Sequence, residues 1–207
     1  YFHSALMVIW SEIDTVLLDM DVTLLDLRFD NYFWTEYLPL RYAEIHGHPA
    51  EQAFSTLEAL FKAETGTLQW YCLDHWSRIL NVSIRDLKKE VAHLIALRKG
   101  ADTFLEALSR MGKRTALITN AHPDSLTLKM EKVNLETHFH RMISSHRYGI
   151  PKEDSTFWDS LQADFSFDPE RTLFIDDNTD ILHSARRYGI KFLLAVHEPD
   201  SKQAPRN

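Results

Sequence analysis

Two kinds of apolar pattern alternate along the chain. Short continuous runs of aliphatic and β-branched residues occur at 15–18, 115–119, 142–144, 172–175 and 191–196, and such runs read as buried strands. Helix-length stretches separate the last four of them. Strands alternating with helices predict βαβ units and a parallel sheet, with right-handed crossovers bringing the strand C-termini to one edge. The fold class is therefore α/β, with the core drawn from residues 1–27 and 98–207.

Residues 28–97 follow a different rhythm. Pro49 stands at a first helical position, with Phe54, Leu57 and Phe61 following at helical spacing. Ser83 and Asp86 form an N-cap pair before Ile84, Leu87, Val91 and Leu94. Gly47, Gly66, Gly100 and Gly112 stand where helices would stop. The segment predicts a helical insert of about four helices between the first strand and the rest of the core. Met7 is expected to be the native start, and the tail at 203–207 is expected to fray.

Composition narrows the function classes. A net charge of −7 with no basic run argues against nucleic-acid polymers and membrane surfaces as partners. No obligate protein partner is evident. No apolar stretch is long enough to span a bilayer, and no signal peptide is evident. A single cysteine, Cys72, cannot form an intrachain disulfide, which fits a reducing cytoplasm.

The first strand run ends in Asp19 and Asp21, with Thr23 two residues further on. Like charges at a strand tip need a cation between them, and a hard divalent ion suits carboxylates. Later strand ends carry Thr119 and Asn120, then Lys152 after the third, and Asp176 and Asp177 after the fourth. In a parallel sheet these groups share one crevice. The inventory suits phosphoryl transfer, which is mostly positioning and charge stabilisation. Ionised Asp19, Asp176 and Asp177 with a phosphate dianion sum to −5, while Mg²⁺ and Lys152 supply +3. The surplus raises the pKa of one more carboxylate, assigned to Asp21, which then serves as general acid and base. Asp19, kept ionised by the metal and Lys152, is the nucleophile.

These motifs resemble those of the haloacid dehalogenase superfamily of phosphatases: Asp19-x-Asp21-x-Thr23, the strand-end Thr119, Lys152, and the pair Asp176-Asp177. The resemblance spans the whole chain. It implies a Rossmann-like core with sheet order 5-4-1-2-3 and a helical C1-type cap at residues 28–97. It also implies Mg²⁺ held by the Asp19 carboxylate, the Asp21 backbone carbonyl and Asp177, with Asp176 as ligand or supporting residue. Thr119, Asn120 and Lys152 then bind phosphate. Val22 departs from the Gly that many members carry there. Longer strings, including Phe29-Asp30-Asn31-Tyr32-Phe33-Trp34, Trp70-Tyr71-Cys72-Leu73-Asp74-His75-Trp76 and Tyr148-Gly149-Ile150-Pro151-Lys152-Glu153-Asp154, are similar to bacterial nucleotidases that act on GMP and IMP.

Rival readings share some of the chemistry. A sugar- or acid-phosphate phosphatase differs only in leaving group, a dehalogenase needs neither Asp21 nor metal, and a nucleotide-binding protein could retain the fold without catalysis. The aromatics Trp34, Trp70, Tyr71 and Trp76 read first as packing residues. Trp70 and Asp74, four apart on one expected helix face, are candidates for clasping a purine, with Asn31 as a further base or ribose contact. Thr119-Asn120 and Asp176-Asp177 also read as helix caps, and Asp180 as a first-turn charge. Cys72 reads as a buried hydrophobe, and the aspartate chemistry needs neither His75 nor His122.

Overall fold

The computed structural model describes residues 8–196, so Met7 and the 203–207 tail lie outside the described residues. Strands β1 (Thr15–Leu18), β2 (Arg114–Thr119), β3 (Arg141–Ser144), β4 (Thr172–Asp176) and β5 (Phe192–Ala195) form one parallel sheet. Its order is β3-β2-β1-β4-β5, the 5-4-1-2-3 arrangement the family resemblance implies. Leu18 at the end of β1 lies level with Leu117 and Ile175. The Asp19 N–H continues the ladder by donating to the Ile175 carbonyl at 2.9 Å. Every chemically promising strand end therefore opens on one edge.

Between β1 and β2 the chain is helical. Helix α1 (Arg28–Tyr32) passes through a wide π turn (Phe33–Tyr37) into α2 (Leu38–His46). The cause lies in Pro39, which has no N–H to give the carbonyl one turn back, so the helix widens instead of continuing regularly. There follow α3 (Ala50–Glu64), α4 (Leu68–Tyr71), α5 (Leu73–Leu80) and α6 (Ile84–Glu90). Pro49 is the residue before α3 rather than its first. Ser83 caps α6 as expected, its hydroxyl accepting from the Asp86 N–H and donating to the Asp86 carboxylate. These helices bury their own apolar cluster around Phe29, Phe33, Leu57, Trp76 and Leu87. Two short connectors join them to the sheet. The Asp26 N–H donates to the Ala96 carbonyl at 3.0 Å, and the Arg98 N–H to that of Leu24 at 2.9 Å.

The remaining helices are α7 (Ala101–Arg110), α8 (Pro123–Val133), α9 (Ser155–Asp164) and α10 (Thr179–Tyr188). Gly100 precedes α7 with φ +85°, so it starts a helix where the sequence suggested a stop. Alternate strand residues enter opposite layers. Val16, Leu18, Leu117 and Ile175 pack with Leu105, Leu108 and Met130. Leu17, Ala116, Ile118 and Phe174 pack with Phe157, Trp158, Leu161 and Ile181. Burial on both faces explains why the strands are continuously apolar. No helix among the described residues is long and apolar enough to cross a membrane.

Candidate active site

Beyond the sheet edge lies a cavity of about 680 Å³, lined from one side by Asp19, Asp21, Thr119, Asn120, Lys152, Asp176 and Asp177. From the other side come Asn31, Trp34, Phe61, Trp70 and Tyr71 of the helical segment. Lys152 is its electrostatic pivot. The ammonium is almost fully buried and donates to Asp19 Oδ1 at 2.5 Å, Asp176 Oδ2 at 2.7 Å and the Ile118 carbonyl at 3.2 Å. Burial opposes its charge, but Asp176 and Asp19 outweigh that and hold its pKa well above the ordinary lysine range. The lysine thus stays charged between its two carboxylates.

Asp19 shows the opposite balance. Burial pushes its pKa well up, Lys152 pulls it down, and the neighbouring Asp176 and Asp21 carboxylates push it up again. Such a site is short of positive charge. Carboxylate oxygens of Asp19, Asp176 and Asp177 lie within 4.8 Å of one another. All-oxygen, anionic donors at the same cleft edge fit a hard divalent cation such as Mg²⁺. Asp176 Oδ1 also accepts from the Asn178 N–H at 2.8 Å, which fixes the acidic pair at the mouth of α10.

Asn120 is held as a brace. Its Oδ1 accepts from the Lys152 N–H at 3.0 Å, its Nδ2 donates to Glu153 at 2.9 Å, and its side chain also bonds Tyr71. Burial, and then Glu153, push the Tyr71 hydroxyl up to about 12, so it remains protonated. Thr119 Oγ1 accepts from the Ala121 N–H at 3.0 Å. The helix caps are supplied by His122 for α8, two residues past Asn120, and by Asn178 for α10, one past Asp177, rather than by the pairs the sequence suggested. Asp180 lies in the first turn of α10, as expected.

Val22 adopts φ +73°, a left-handed conformation that a β-branched residue rarely takes, and this accounts for the Gly common at that position. The Thr23 hydroxyl is buried without a hydrogen-bond partner.

The sequence reading missed a buried chain of alternating charges. Lys129 on α8 donates to Asp21 Oδ1 at 2.5 Å and to Asp30 Oδ2, and Lys88 on α6 donates to Asp30 Oδ1 at 2.8 Å. Both lysines are 2% exposed. Lys88 also sits 4.8 to 5.4 Å from the ring centres of Phe29, Phe33 and Trp34. The only sequence signal was weak: Asp30 beside the Phe29/Phe33 stripe, and Lys129 beside Met130 in an apolar helix face. Burial pushes the Asp21 pKa up and Asp30 adds to it, while Lys129 opposes.

Asn31 and Trp70 reach the cavity lining, whereas Asp74 does not. The expected Trp70–Asp74 helix face is broken, because Cys72 takes an extended conformation between α4 and α5. The Asp74 side chain is 83% exposed, with Oδ2 3.5 Å from His122 Nε2.

Comparisons agree with this geometry. The family of haloacid dehalogenase-like hydrolases matches residues 14–195. The chain is 42% identical over 192 residues to the GMP/IMP nucleotidase YrfG of Escherichia coli (strain K12), covering 93% of this chain and 86% of that protein. Among solved structures, a HAD phosphatase from Thermococcus onnurineus superposes with a TM-score of 0.80 at 14% identity, covering 94% and 92% of the two chains. The HAD-hydrolase YfnB from Bacillus subtilis, bound to magnesium, gives 0.63 at 18% identity, covering 93% and 92%. With the sheet order, the ordered motifs and the matched length in agreement, the chain belongs to the haloacid dehalogenase-like hydrolases.

Proposed function

We propose that this hydrolase is a Mg²⁺-dependent phosphomonoesterase that removes the 5′-phosphate of purine nucleoside monophosphates, GMP and IMP foremost, in the cytoplasm. The observation that carries the reading is the Lys152 ammonium shared by Asp19 and Asp176 at the floor of a cavity whose other wall is aromatic. A charged floor suits a phosphoryl group and an aromatic wall suits a base. The likeness to a GMP/IMP nucleotidase supports the choice of leaving group.

In this mechanism Asp19 attacks phosphorus, forming an aspartyl-phosphate as the bond to the ribose 5′-oxygen breaks. Asp21, whose pKa burial raises, gives that oxygen its proton. It then takes a proton from the water that hydrolyses the acyl-phosphate, restoring Asp19. Lys152 steers Asp19 and neutralises charge on the phosphoryl oxygens, while Thr119 and Asn120 bind or brace the phosphate end. Asp19, the Asp21 backbone carbonyl, Asp176 and Asp177 would hold Mg²⁺, whose charge would favour ionised Asp19 and offset the phosphate dianion. Residues 28–97 would act as a cap over the core of 1–27 and 98–207, excluding water and contacting the base through Asn31 and Trp70.

The test is phosphate release from GMP, IMP, AMP, pyrimidine nucleotides and sugar phosphates at equal concentration with Mg²⁺. GMP and IMP should lead, and EDTA should stop release from all. A profile led by sugar or acid phosphates would overturn the nucleotide assignment. Turnover of haloacids persisting in EDTA would overturn the reaction class.

A further inference from the structure

A second cluster of metal-ligating side chains lies beside the aspartates and has no part in the proposed chemistry. One ligand atom each from Cys72, His122 and His146 falls within 4.8 Å of the other two. The two imidazole rings stand 5.2 Å apart at 74°. Asp74, otherwise an exposed carboxylate, comes within 3.5 Å of His122 Nε2. The Nε2 atom of His146 is buried and has no hydrogen-bond partner. A buried atom left unmet is costly, so its presence in a folded protein calls for an explanation.

We propose that Cys72, His122 and His146 form a second cation site, its fourth position open to water, selective for a borderline transition metal such as Zn²⁺. Sulfur and imidazole donors suit that ion in a tetrahedral shell, whereas the all-oxygen aspartate cluster suits Mg²⁺. The unmet His146 nitrogen becomes a ligand. Binding releases the Cys72 thiol proton to solvent. His122 Nδ1 now accepts from the Asp124 N–H at 3.2 Å. For His122 to bind through Nε2, its ring proton moves to Nδ1, which gives up the bond it accepts from the Asp124 N–H and turns toward the Asp124 carboxylate.

The location gives the site a consequence. Cys72 belongs to the helical segment, while His122 and His146 follow β2 and β3. A bound ion would tie that segment to the sheet edge. If the segment is the moving cap, which rests on the function proposed above, such a tether slows substrate entry and product release. Zn²⁺ would then inhibit without competing for the aspartates.

The probe is Co²⁺, titrated into the reduced full-length chain with Mg²⁺ saturating. A near-ultraviolet thiolate-to-cobalt charge-transfer band with tetrahedral visible bands is expected, displaced by Zn²⁺. Asp177→Asn should keep the thiolate band. Cys72→Ser, a near-isosteric change, should abolish it, and His146→Gln should weaken Co²⁺ binding by at least about tenfold. Absence of the band, or a band indifferent to His146→Gln, overturns the site, and neither result depends on the chain being a phosphatase. Zn²⁺ inhibition of phosphate release should disappear in Cys72→Ser; inhibition that persists there overturns the tether while leaving the site standing.

Discussion

Lys129 Nζ lies 2.5 Å from Asp21 Oδ1, which joins a lysine in the middle of a core helix to the residue assigned as general acid. The same ammonium holds Asp30 from the helical segment. One cation therefore spans core, catalytic loop and helical segment. Removing it strands the Asp21 carboxylate and leaves Asp30 beside it with Lys88 alone. Lys129→Met should cost about 3–5 kcal/mol of stability, as breaking one side of a buried ion pair does. In an Asp30→Asn background the same change should cost less, since Lys129 then has one partner fewer to lose and Asp21 no longer faces a neighbouring charge. Urea unfolding of the four proteins checks this. Strictly additive losses would mean that Lys129 and Asp30 do not act as a unit.

Asp30 makes stability depend on acid. Burial works to raise its pKa, but Lys129 and Lys88 overcome it and hold the carboxyl well below the ordinary carboxylate range. A carboxylate depressed in the folded state contributes stability that is present above its unfolded pKa and lost as pH falls through the folded value. The contribution should therefore decline as pH drops below about 4. Asp30→Asn removes that proton uptake, so its stability should fall less steeply with acid than that of the parent chain. Parallel curves from urea titrations at several acidic pH values would contradict the assignment.

Asp19 offers the reverse case. Burial and the nearby Asp176 and Asp21 carboxylates push its pKa up in the metal-free fold, despite Lys152. A carboxyl whose pKa is raised by folding weighs against folding at pH values above its unfolded pKa. Asp19→Asn keeps an oxygen to accept from Lys152 while removing the charge. Turnover should vanish, yet the metal-free variant should melt at or above the temperature of the parent, a trade of stability for function. Calorimetry in EDTA is the measurement. A clearly lower melting temperature would show that the charged pair with Lys152 stabilises more than burial costs.

The strands and motif order were legible because buried parallel strands are continuously apolar and end abruptly in polar residues. β1 was bounded as observed, and the sheet order is the one the family resemblance implied. Lys88 and Lys129 were not legible. A lysine in a helix carries no sequence mark that says its ammonium is buried against carboxylates distant in the chain, such as Asp21, 108 residues from Lys129. Lys152 was found only because its motif fixes its place. The Trp70–Asp74 face failed for a local reason: the backbone at Cys72 leaves the helical region, and spacing arguments stop there.

Trp70 is the cleanest test of how the helical segment reads the leaving group. It lines the cavity, its ring packs edge-on against Phe61 and Trp76, and its carbonyl accepts from Trp76 Nε1 at 2.9 Å. Trp70→Ala keeps that acceptor while removing the ring. If the indole contacts the base, KM for GMP and IMP should rise about 5- to 150-fold, the range expected for losing one base–aromatic contact. A small phosphomonoester without a base should be turned over with little change in KM, because Asp19, Lys152 and Asp177 are untouched. Steady-state kinetics on both substrates separates the outcomes. Equal KM changes for the two would assign Trp70 to packing alone, and the purine contact would then fall to Trp34 or Asn31, which line the same wall.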